Sequence, residues 1–495
     1  MKINTTKVVI AGGGTAGWMT AVAMCKLIKN IDVTLVESEE IGTIGVGEAT
    51  IPTLQFFHEI LDINEADFLR ETQGTFKLGI KFENWKQIEH SYIHAFGKTG
   101  KDCWACDFQH FWVKAQKLGL TNEFGDFCVE QVAASLGKFA RVKNNGINYA
   151  YHIDASKYTL YLRKICEQRG LKRIEGKIQS VELNKDNGKV RALKLSSGKE
   201  LPGDLFIDCT GQRGLLIGQA LKTEYKDWSN WLPNDRAIAL QSTSVEPPKP
   251  YTRSIAHSCG WQWRIPLQNR VGNGIVYSSK YMSDNDAEKL LFKHIDGQPL
   301  TSPKLIEFKT GSRRLHWNKN CVAIGLSSAF LEPLESTSIH LIQRSIIRLL
   351  KLFPSNGILQ SHVDEFNQQT AVDIEAIRDF IIMHYVVTER DDSAYWRYFK
   401  GIKLPKNLHH RLRLFEESGH ICLKNGELFE DSWMQVLIGQ GLIPKYYHPI
   451  VDNMSDAELK QFINMMKDRE LKRANSLPSH QSFIDEYCKT ALTKM

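Results

Sequence analysis

Hydrophobic positions near the start of the chain change their period twice. Val8–Ile10 form a continuous apolar run, a glycine-rich turn follows, and Met19, Val22 and Leu27 then recur at helical spacing. A second run, Val33–Glu37, is apolar until its last residue. The pattern therefore predicts a strand, a tight turn, a helix and a second strand, as at the beginning of a parallel α/β sheet.

The first turn carries Gly12, Gly14 and Gly17, which fit G-x-G-x-x-G with a strand before and a helix after. The first glycine makes the tight turn, the second admits a pyrophosphate against the backbone, and the third lets the helix pack closely on the strand. Glu37 ends the second strand, where an acid binds a ribose hydroxyl pair. A chance glycine-rich turn is the alternative, but with Glu37 in place the sequence predicts dinucleotide binding.

Two later apolar runs, Asp204–Gly211 and Asn320–Leu326, also end in small residues. The first is predicted to rejoin the sheet and to place Thr210 and Gly211 near the cofactor. Residues 236–283 alternate apolar and polar positions, which predicts an antiparallel sheet. Three strand-to-glycine elements spread this widely favour a flavin fold assembled from distant segments over a compact NAD domain.

We therefore predict an α/β protein built on a FAD-binding, Rossmann-like module of the flavin monooxygenase type. Residues 1–355 form this discontinuous module, which is interrupted by substrate-side segments at about 75–150 and 225–315 that carry the antiparallel sheet. Residues 356–495, which read mainly as helix from Asp364 onward, form a region that covers the substrate.

Shorter patterns predict the remaining elements. Helices are expected at Thr53–Leu61, Ala155–Arg169 and Ser338–Leu352, strands at Lys172–Leu183 and Lys189–Lys194, and a glycine-rich loop at Ile41–Pro52. Thr75–Phe82 alternates and is predicted to be one strand, whose period of two places Lys77, Gly79 and Lys81 on one face. Lysines on an inner face suggest a function, but spacing alone does not separate Lys77 from Lys81.

Composition excludes several classes of protein. The 495 residues are 42% hydrophobic and 24% charged, which is ordinary for globular proteins, and the net charge of +7 includes no dense basic block, so no nucleic-acid partner is expected. Signal-peptide and membrane-length apolar runs are absent, and the ten scattered cysteines suit reduced thiols, which indicates a cytoplasmic protein. Cys103 and Cys106 form an isolated C-x-x-C, so no metal is expected.

The segment 260–266, GWQWRIP, carries the most specific motif. Trp261 and Trp263 read alone would be a packed strand face, but here they reproduce the W-x-W-x-I-P box that separates flavin-dependent tryptophan halogenases from flavin hydroxylases. The chain resembles that family over nearly its whole length. Other matching segments are the glycine turn, Gly45–Thr50, Thr75–Lys77 and Leu331–Thr337.

The resemblance implies a reaction in two places. Reduced flavin and oxygen form a flavin hydroperoxide, a halide (chloride or bromide) attacks it, and the resulting hypohalous acid travels to an aromatic substrate held apart from the flavin. Family position selects Lys77 to hold and polarise the oxidant, as an ammonium or as an N-haloamine. Glu335 matches the carboxylate that orients the oxidant or takes the ring proton, although a helix N-terminal acid is an alternative reading.

The same resemblance assigns the binding residues. Backbone N–H groups of Thr337 and Ser338 match the halide site, and Ser338 stands where members that act on free tryptophan usually have glycine. Leu326 and Ile339 match positions that line the isoalloxazine. The flavin-binding residues expected from the turn and the resemblance together are Gly12, Gly14, Thr15, Ala16, Gly17, Glu37, Gly47, Ala49, Ile178, Leu326 and Ile339.

Substrate residues are matched less completely. His94 and Phe96 resemble the His-x-Phe with which the family stacks an indole, and Phe429 and Trp433 fall where it has another aromatic wall. Elements that clamp the amino and carboxylate groups of tryptophan are not recognisable, so free tryptophan, an indole, and a larger aromatic or peptide all remain open as substrates. The charged run Glu389–Ser393 is read as a helical segment that faces solvent, with a substrate contact as the alternative.

The sequence thus predicts a FADH2-dependent, two-component halogenase. It would receive its flavin from a separate NAD(P)H-dependent flavin reductase, because no second G-x-G-x-x-G is present for a nicotinamide. The resemblance also implies a homodimer. A flavin-dependent aromatic monooxygenase and a flavin-binding protein without chemistry remain the alternatives.

Overall fold

The computed structural model describes residues 5–40, 47–142, 146–422, 427–429 and 431–491. The chain divides into two compact units. The first comprises Met1–Gly74, Ile153–Asp235 and Glu307–Glu375, and the second comprises Thr75–His152, Arg236–Ile306 and Ala376–Met495. The cofactor and substrate-covering roles given above to sequence segments remain predictions.

A six-stranded sheet forms the centre of the first unit. Its strands, in spatial order, are Trp317–Asn318, Cys321–Ala323, Leu205–Asp208, Thr6–Ala11, Ile31–Glu37 and Lys172–Glu175. All neighbours are parallel except the first pair. The predicted return of the two later apolar runs to the first sheet is confirmed, since Leu205 pairs with Val8 and Cys321 with Phe206.

Helices pack around this sheet, and smaller sheets extend the first unit. The helices are Thr15–Leu27, Thr53–Ile60, Glu65–Glu71, Ala155–Gln168 and Ser338–Lys351, and Gln360–Val386 begins in this unit. The shorter elements are the strands Gly47–Ala49, Ile178–Leu183, Val190–Leu195, Glu200–Pro202, Tyr225–Asp227, Gly311–Arg313 and Ala329–Phe330, the 3₁₀ turns Gly211–Arg213, Gly325–Ser327 and Pro333–Glu335, and the π-helical turn Leu215–Ala220.

Two sequence expectations change in the first unit. Lys172–Leu183 is not one strand: Lys172–Glu175 joins the parallel sheet, whereas Ile178–Leu183 pairs antiparallel with Val190–Leu195. The chain breaks at Gly176, whose N–H donates to the carbonyl of Glu37. The predicted loop Ile41–Pro52 contains the strand Gly47–Ala49, and its residues 41–46 lie outside the described residues.

A seven-stranded sheet forms the centre of the second unit. Its strands, in spatial order, are Lys304–Glu307, Arg236–Ser242, Val271–Tyr277, Trp261–Pro266, Tyr251–Ala256, Gly79–Glu83 and Ser91–Ala95. The four strands between residues 236 and 277 pair antiparallel, as predicted, whereas Tyr251–Ala256 and Gly79–Glu83 pair parallel.

The predicted single strand Thr75–Phe82 is wrong. Thr75–Lys77 pairs with Ala150–Asp154, whereas Gly79–Glu83 belongs to the seven-stranded sheet. The chain changes partners at Leu78, whose N–H donates to Pro250 O (2.7 Å) and whose carbonyl accepts from Phe96 N (2.9 Å). The alternation therefore does not continue from Lys77 to Lys81.

The described part of the C-terminal region is mainly helical, as expected. Helices of the second unit are Phe108–Lys117, Val129–Ser135, Asp284–His294, Ala394–Lys400, Lys406–Ser418, Ser432–Gly439, Asp456–Asn475 and His480–Tyr487, together with the 3₁₀ turns Phe124–Phe127 and Pro449–Asn453. Within the described ranges, no helix combines the length and the hydropathy needed to cross a bilayer.

Candidate active site

The glycine turn has the geometry that its spacing predicts. Gly12 has φ +108°, a conformation that favours glycine, and its N–H donates to Val36 O at 2.8 Å. A Cβ on Gly12 would lie 2.3 Å from Cys209 O, and a Cβ on Gly17 would lie 1.9 Å from Gly12 O. Both glycines are therefore required for the close packing of strand, turn and helix.

The helix that follows the turn presents an open N-terminus. Gly14 is its N-cap, no side chain caps it, and its first turn contains no acid. A Cβ on Gly14 would meet no atom within 4 Å, so the space beside it is empty. Thr15 and Ala16 begin the helix, whose first N–H groups and positive dipole end suit a pyrophosphate.

Glu37 lies against the turn. A Cβ on Gly13 would lie 1.5 Å from Glu37 Oε2, which places the carboxylate directly beside the glycine backbone. Trp18 Nε1 donates to Oε2 at 3.2 Å, and Arg173 Nε donates to Oε1 at 2.6 Å. These two contacts orient Glu37 and leave lone pairs for a ribose hydroxyl. Trp18 and Arg173 were missed by sequence reasoning, because neither belongs to the glycine motif.

One cleft brings together residues predicted for the flavin and for the halide. Leu326, Thr337 and Ser338 all line it, and it holds about 460 Å³ of empty space continuous with solvent. Thr337 is the N-cap of the helix Ser338–Lys351, and no side chain caps that helix. Leu326 is 38% exposed, so its side chain is open to a ligand in this cleft.

The other predicted flavin residues are more scattered. Ile339 is buried in the first turn of the same helix, and Gly47 and Ala49 lie on a short strand. Ile178 packs against the buried cluster that includes Val9 and Val36 of the parallel sheet. Its side chain therefore contributes to the core, and a flavin contact at Ile178 remains a prediction.

Glu335 ends a short 3₁₀ turn that begins at Pro333. The carboxylate is buried. Ser336 follows in a left-handed conformation with φ +59° and turns the chain toward the helix, which begins only at Ser338. Glu335 is therefore not an acid of that helix's first turn, contrary to the alternative reading of the sequence. Glu332 Oε2 accepts from Asn234 Nδ2 at 3.0 Å and anchors the start of this turn.

Lys77 is completely buried, which is rare for lysine. Its ammonium lies 5.1 Å from the centroid of the Phe96 ring. His152 lies opposite Thr75, two residues before Lys77, with its ring nitrogens 3.0 Å from Thr75 Oγ1 and 2.9 Å from Thr252 Oγ1. Burial, together with the charge of Lys77, lowers the pKa of His152 well below its ordinary value, so this imidazole is neutral. Lys81 is half-buried and lies in the seven-stranded sheet, whereas Lys77 pairs with a different strand.

Three of the predicted substrate residues meet around Phe380. Its ring stacks on Phe429 at 4.2 Å between centroids and lies 5.1 Å from Trp433 and 5.9 Å from His94. Phe96 is instead the residue beneath the Lys77 ammonium. Sequence reasoning missed Phe380, because its helix gives only a helical pattern of apolar positions.

Two further polar groups position this aromatic cluster. The buried Gln435 accepts a hydrogen bond from Ala95 N at 2.8 Å and donates one to Gly97 O at 2.7 Å. These two bonds fix the end of the strand that carries His94. Arg411 lies 4.4 Å over the Trp433 ring and donates to both oxygens of Glu427. Nothing in the local sequence indicates either arrangement.

The tryptophan box forms part of the seven-stranded sheet. Trp261 and Trp263 are both buried, with 6.2 Å between ring centroids. A Cβ on Gly274 would lie 2.0 Å from the Trp263 ring, so that glycine makes room for the indole on the neighbouring strand. The box thus packs the strand face, as its two tryptophans alone suggest.

The charged run Glu389–Ser393 is not helical, contrary to expectation. It lies in the connection between the helices Gln360–Val386 and Ala394–Lys400. Glu389, Asp391 and Asp392 are exposed, as predicted, but Arg390 is buried. Its guanidinium donates to both oxygens of Asp392 and to Asn84 O, and lies 4.6 Å over Trp396. Arg390 is therefore a packing residue.

The fold and these groups together define a dinucleotide-binding α/β enzyme of the flavoprotein type. Comparison with known proteins is more specific: residues 7–456 match the family described as tryptophan halogenase. The chain belongs to the tryptophan halogenase family. The predicted enzyme class, flavin-dependent halogenase, is confirmed, and this family uses flavin and halide.

Relatives cover almost the full length of the chain. The tryptophan 6-halogenase SttH of Streptomyces toxytricini is 32% identical over 97% of this chain and 98% of its own. Among solved structures, Xcc4156, a flavin-dependent halogenase from Xanthomonas campestris, is 50% identical with a TM-score of 0.98, covering 99% of this chain and 100% of the other. BrvH, a flavin-dependent halogenase from Brevundimonas sp. BAL3, is 41% identical with a TM-score of 0.93, covering 98% and 99%.

Proposed function

We propose that this enzyme uses FADH2, oxygen and halide to transfer a halogen to an indole or another electron-rich aromatic compound. The observation that carries the proposal is the complete burial of Lys77 with its ammonium over the Phe96 ring. Burying a lysine ammonium costs free energy, so a lysine at a fully buried position is expected to have a role beyond packing. In a halogenase, a fixed ammonium beside an aromatic wall is suited to hold a small oxidant next to a flat substrate.

The flavin would be held mainly by backbone groups of the first unit. The N–H groups at Gly14, Thr15 and Ala16 would bind the pyrophosphate, and Glu37 would bind a ribose hydroxyl. Leu326 and Ile339 would line the isoalloxazine. The empty space at Gly14 supports this assignment. Bound reduced flavin would supply the electrons that activate oxygen, so that halide is converted into hypohalous acid.

The halide would bind at the uncapped start of the helix Ser338–Lys351. Backbone N–H groups of Thr337 and Ser338 donate to the anion, and the helix dipole favours its negative charge. Because both groups belong to the backbone, the serine at 338 preserves these donors. The Ser338 hydroxyl adds a donor that glycine lacks, which we expect to alter halide preference.

Lys77 and Glu335 would divide the halogen transfer between them. Lys77 donates a hydrogen bond to the hydroxyl oxygen of hypohalous acid, which makes the halogen more electrophilic. The aromatic carbon then attacks, the oxygen–halogen bond breaks, and the departing hydroxide takes a proton from Lys77 to form water. Glu335 then accepts the ring proton, and the loss of that proton restores aromaticity. This step is general-base catalysis. The neutral His152 adds no competing charge beside Lys77.

The substrate would lie against the aromatic residues of the second unit. His94, Phe96, Phe429 and Trp433 supply flat faces, and stacking holds an aromatic ring with little loss of side-chain entropy. Three of these side chains meet around Phe380. A separate NAD(P)H-dependent reductase would deliver the reduced flavin, and the enzyme would act as a homodimer.

The test supplies the purified enzyme with FAD, a flavin reductase, NADH, chloride or bromide, and a panel containing indole, tryptophan and larger indoles. We expect a halide-dependent product whose mass carries the isotope pattern of the added halogen. Absence of halogenated product from every aromatic contradicts the proposal. Oxygen insertion without halide indicates a monooxygenase, and flavin binding without turnover indicates a binding protein.

A further inference from the structure

A group of potential metal ligands lies in the second unit, among residues that the proposed function does not use. Asp107, His110 and His420 each offer one ligand atom, and these atoms all lie within 4.8 Å of one another. The sequence does not suggest the group, because His420 is far from the other two along the chain.

His110 is the buried member of the group. Its Nδ1 accepts a long hydrogen bond of 3.3 Å from His448 N, which places the proton on Nε2. Within the described part of the chain, Nε2 has no hydrogen-bond partner. In this tautomer Nδ1 carries the in-plane lone pair of the ring. A cation can bind this lone pair in place of the long hydrogen bond from His448 N.

The backbone brings the two other ligands to this ring. Asp107 is the N-cap of the helix Phe108–Lys117, but its side chain makes no capping hydrogen bond. Gly419, in a left-handed conformation, ends the helix Lys406–Ser418, and its carbonyl accepts from Gln109 Nε2 at 3.1 Å. The ring of His420 then lies 4.8 Å from that of His110, centroid to centroid. The two segments are therefore already joined without a metal.

The separation of the ligand atoms suits a small ion after a modest adjustment. Ligand atoms around a tetrahedral zinc ion lie roughly 3.3 Å apart, given metal–ligand distances of about 2.0–2.1 Å. Asp107 and His420 are both exposed, so rotation of their side chains can close the remaining distance. His110 is buried, so its imidazole is the ligand with a fixed position.

The other histidine and the cysteines near this group are less suited to bind a metal ion. His448 Nδ1 accepts from Ile450 N at 3.2 Å, and its ring lies 6.0 Å from that of His110. The thiols of Cys103 and Cys106 do not belong to the group whose ligand atoms lie close together. Two imidazoles and one carboxylate form the set that remains.

We propose that Asp107, His110 and His420 bind a divalent transition-metal ion of the zinc type, with water completing the coordination. Imidazole nitrogen and carboxylate oxygen are ordinary zinc ligands. The ion links the start of the helix Phe108–Lys117 to the segment after Lys406–Ser418, and its role is to stabilise the fold. The inference is independent of the halogenation proposal.

Zinc binding to the full-length protein tests this inference. The protein is first dialysed against EDTA, exchanged into EDTA-free buffer, and titrated with ZnCl2 by calorimetry, and the bound metal is measured by mass spectrometry after gel filtration. We expect about one zinc ion per chain and a Tm that rises with zinc and falls again with EDTA. Magnesium, which prefers oxygen ligands, is expected to have no effect.

Variants of the exposed ligands make the test specific and avoid disturbing the buried His110. His420→Ala and Asp107→Asn are expected to weaken zinc binding about tenfold or more. His409→Ala is the matched control, because His409 is also an exposed histidine and lies on the helix that precedes His420. Failure of the unmodified protein to bind one equivalent of zinc overturns the inference, as does unchanged zinc affinity in His420→Ala.

Discussion

The ammonium of Lys77 lies 5.1 Å from the centroid of the Phe96 ring, and Lys77 has no exposure to solvent. The same two residues correspond to different predicted roles, one for the oxidant and one for the substrate. Their contact places a positively charged ammonium beside an aromatic ring within the second unit. A change of charge at Lys77 therefore acts beside an aromatic face.

Replacing Lys77 by alanine is expected to abolish halogenation, with a loss of about 10²-fold or more, because the group that polarises the oxidant is removed. Flavin binding is expected to persist. Lys81→Ala is the control, since Lys81 is half-buried on the neighbouring sheet. Product formation by mass and flavin binding by fluorescence titration measure the two effects. Retained activity in Lys77→Ala with lost activity in Lys81→Ala would transfer the role to Lys81.

Glu335→Gln is expected to slow halogenation about 10²-fold, the usual contribution of a positioned base. The substitution keeps the size of the buried side chain and removes only its charge and basicity. Glu389→Gln is the control, because Glu389 is an exposed carboxylate in the second unit. An unchanged rate in Glu335→Gln, measured under saturating flavin and substrate, would leave Glu335 with a structural role only.

Gly14→Ala separates flavin binding from folding. A Cβ at Gly14 meets no protein atom within 4 Å, so the Tm of the flavin-free protein is expected to remain unchanged. A bound pyrophosphate would occupy this space, so flavin affinity is expected to fall about tenfold or more. Gly401→Ala serves as the control, because its Cβ also meets nothing. Full flavin affinity in Gly14→Ala would show that the phosphates lie elsewhere.

Gln435→Ala is expected to destabilise the protein by about 1–3 kcal/mol, because it leaves the buried Ala95 N–H and Gly97 carbonyl unsatisfied. The strand end that carries His94 loses its anchor at the same time, so KM for the aromatic substrate is expected to rise. Gln461→Ala, on an exposed helix face, is the control. Denaturant unfolding and steady-state kinetics measure both effects, and a Gln435→Ala protein as stable as its parent contradicts the argument.

The sequence was most informative where function depends on local backbone geometry. Gly12 and Gly17 could be assigned from spacing, because the strand, turn and helix that need them are contiguous. Glu37 followed from the end of the next strand. Family resemblance then placed Thr337, whose position at a helix N-terminus is also a local property.

Contacts between distant segments could not be predicted in the same way. The grouping of Lys77 with Lys81 failed because Leu78 exchanges one set of strand partners for another, and a period of two carries no information about partners. Phe380 and Gln435 acquire their roles from residues far along the chain. Arg390 looked like a surface charge, but its pairing with a nearby carboxylate allows burial.

Buried neutral histidines give the protein a predictable sensitivity to acid. Burial lowers the pKa of His58 and His316 to about 3 and that of His340 and His480 to about 4, against an ordinary value of 6.5. Below pH 6.5 the unfolded chain binds protons that the folded protein does not, so stability is present above this pH and is lost as the pH falls toward 4.

Unfolding by denaturant at several pH values measures this loss. We expect a flat midpoint above pH 7 and a steep decline between about pH 6.5 and pH 4. His58→Gln, at the position where a ring nitrogen lies 2.8 Å from Tyr158 OH, is expected to lower stability at pH 7 but to reduce the slope below pH 6.5. His410→Gln, an exposed control, is expected to leave the slope unchanged. A midpoint that stays constant down to pH 4.5 would mean that these imidazoles are protonated in the folded protein.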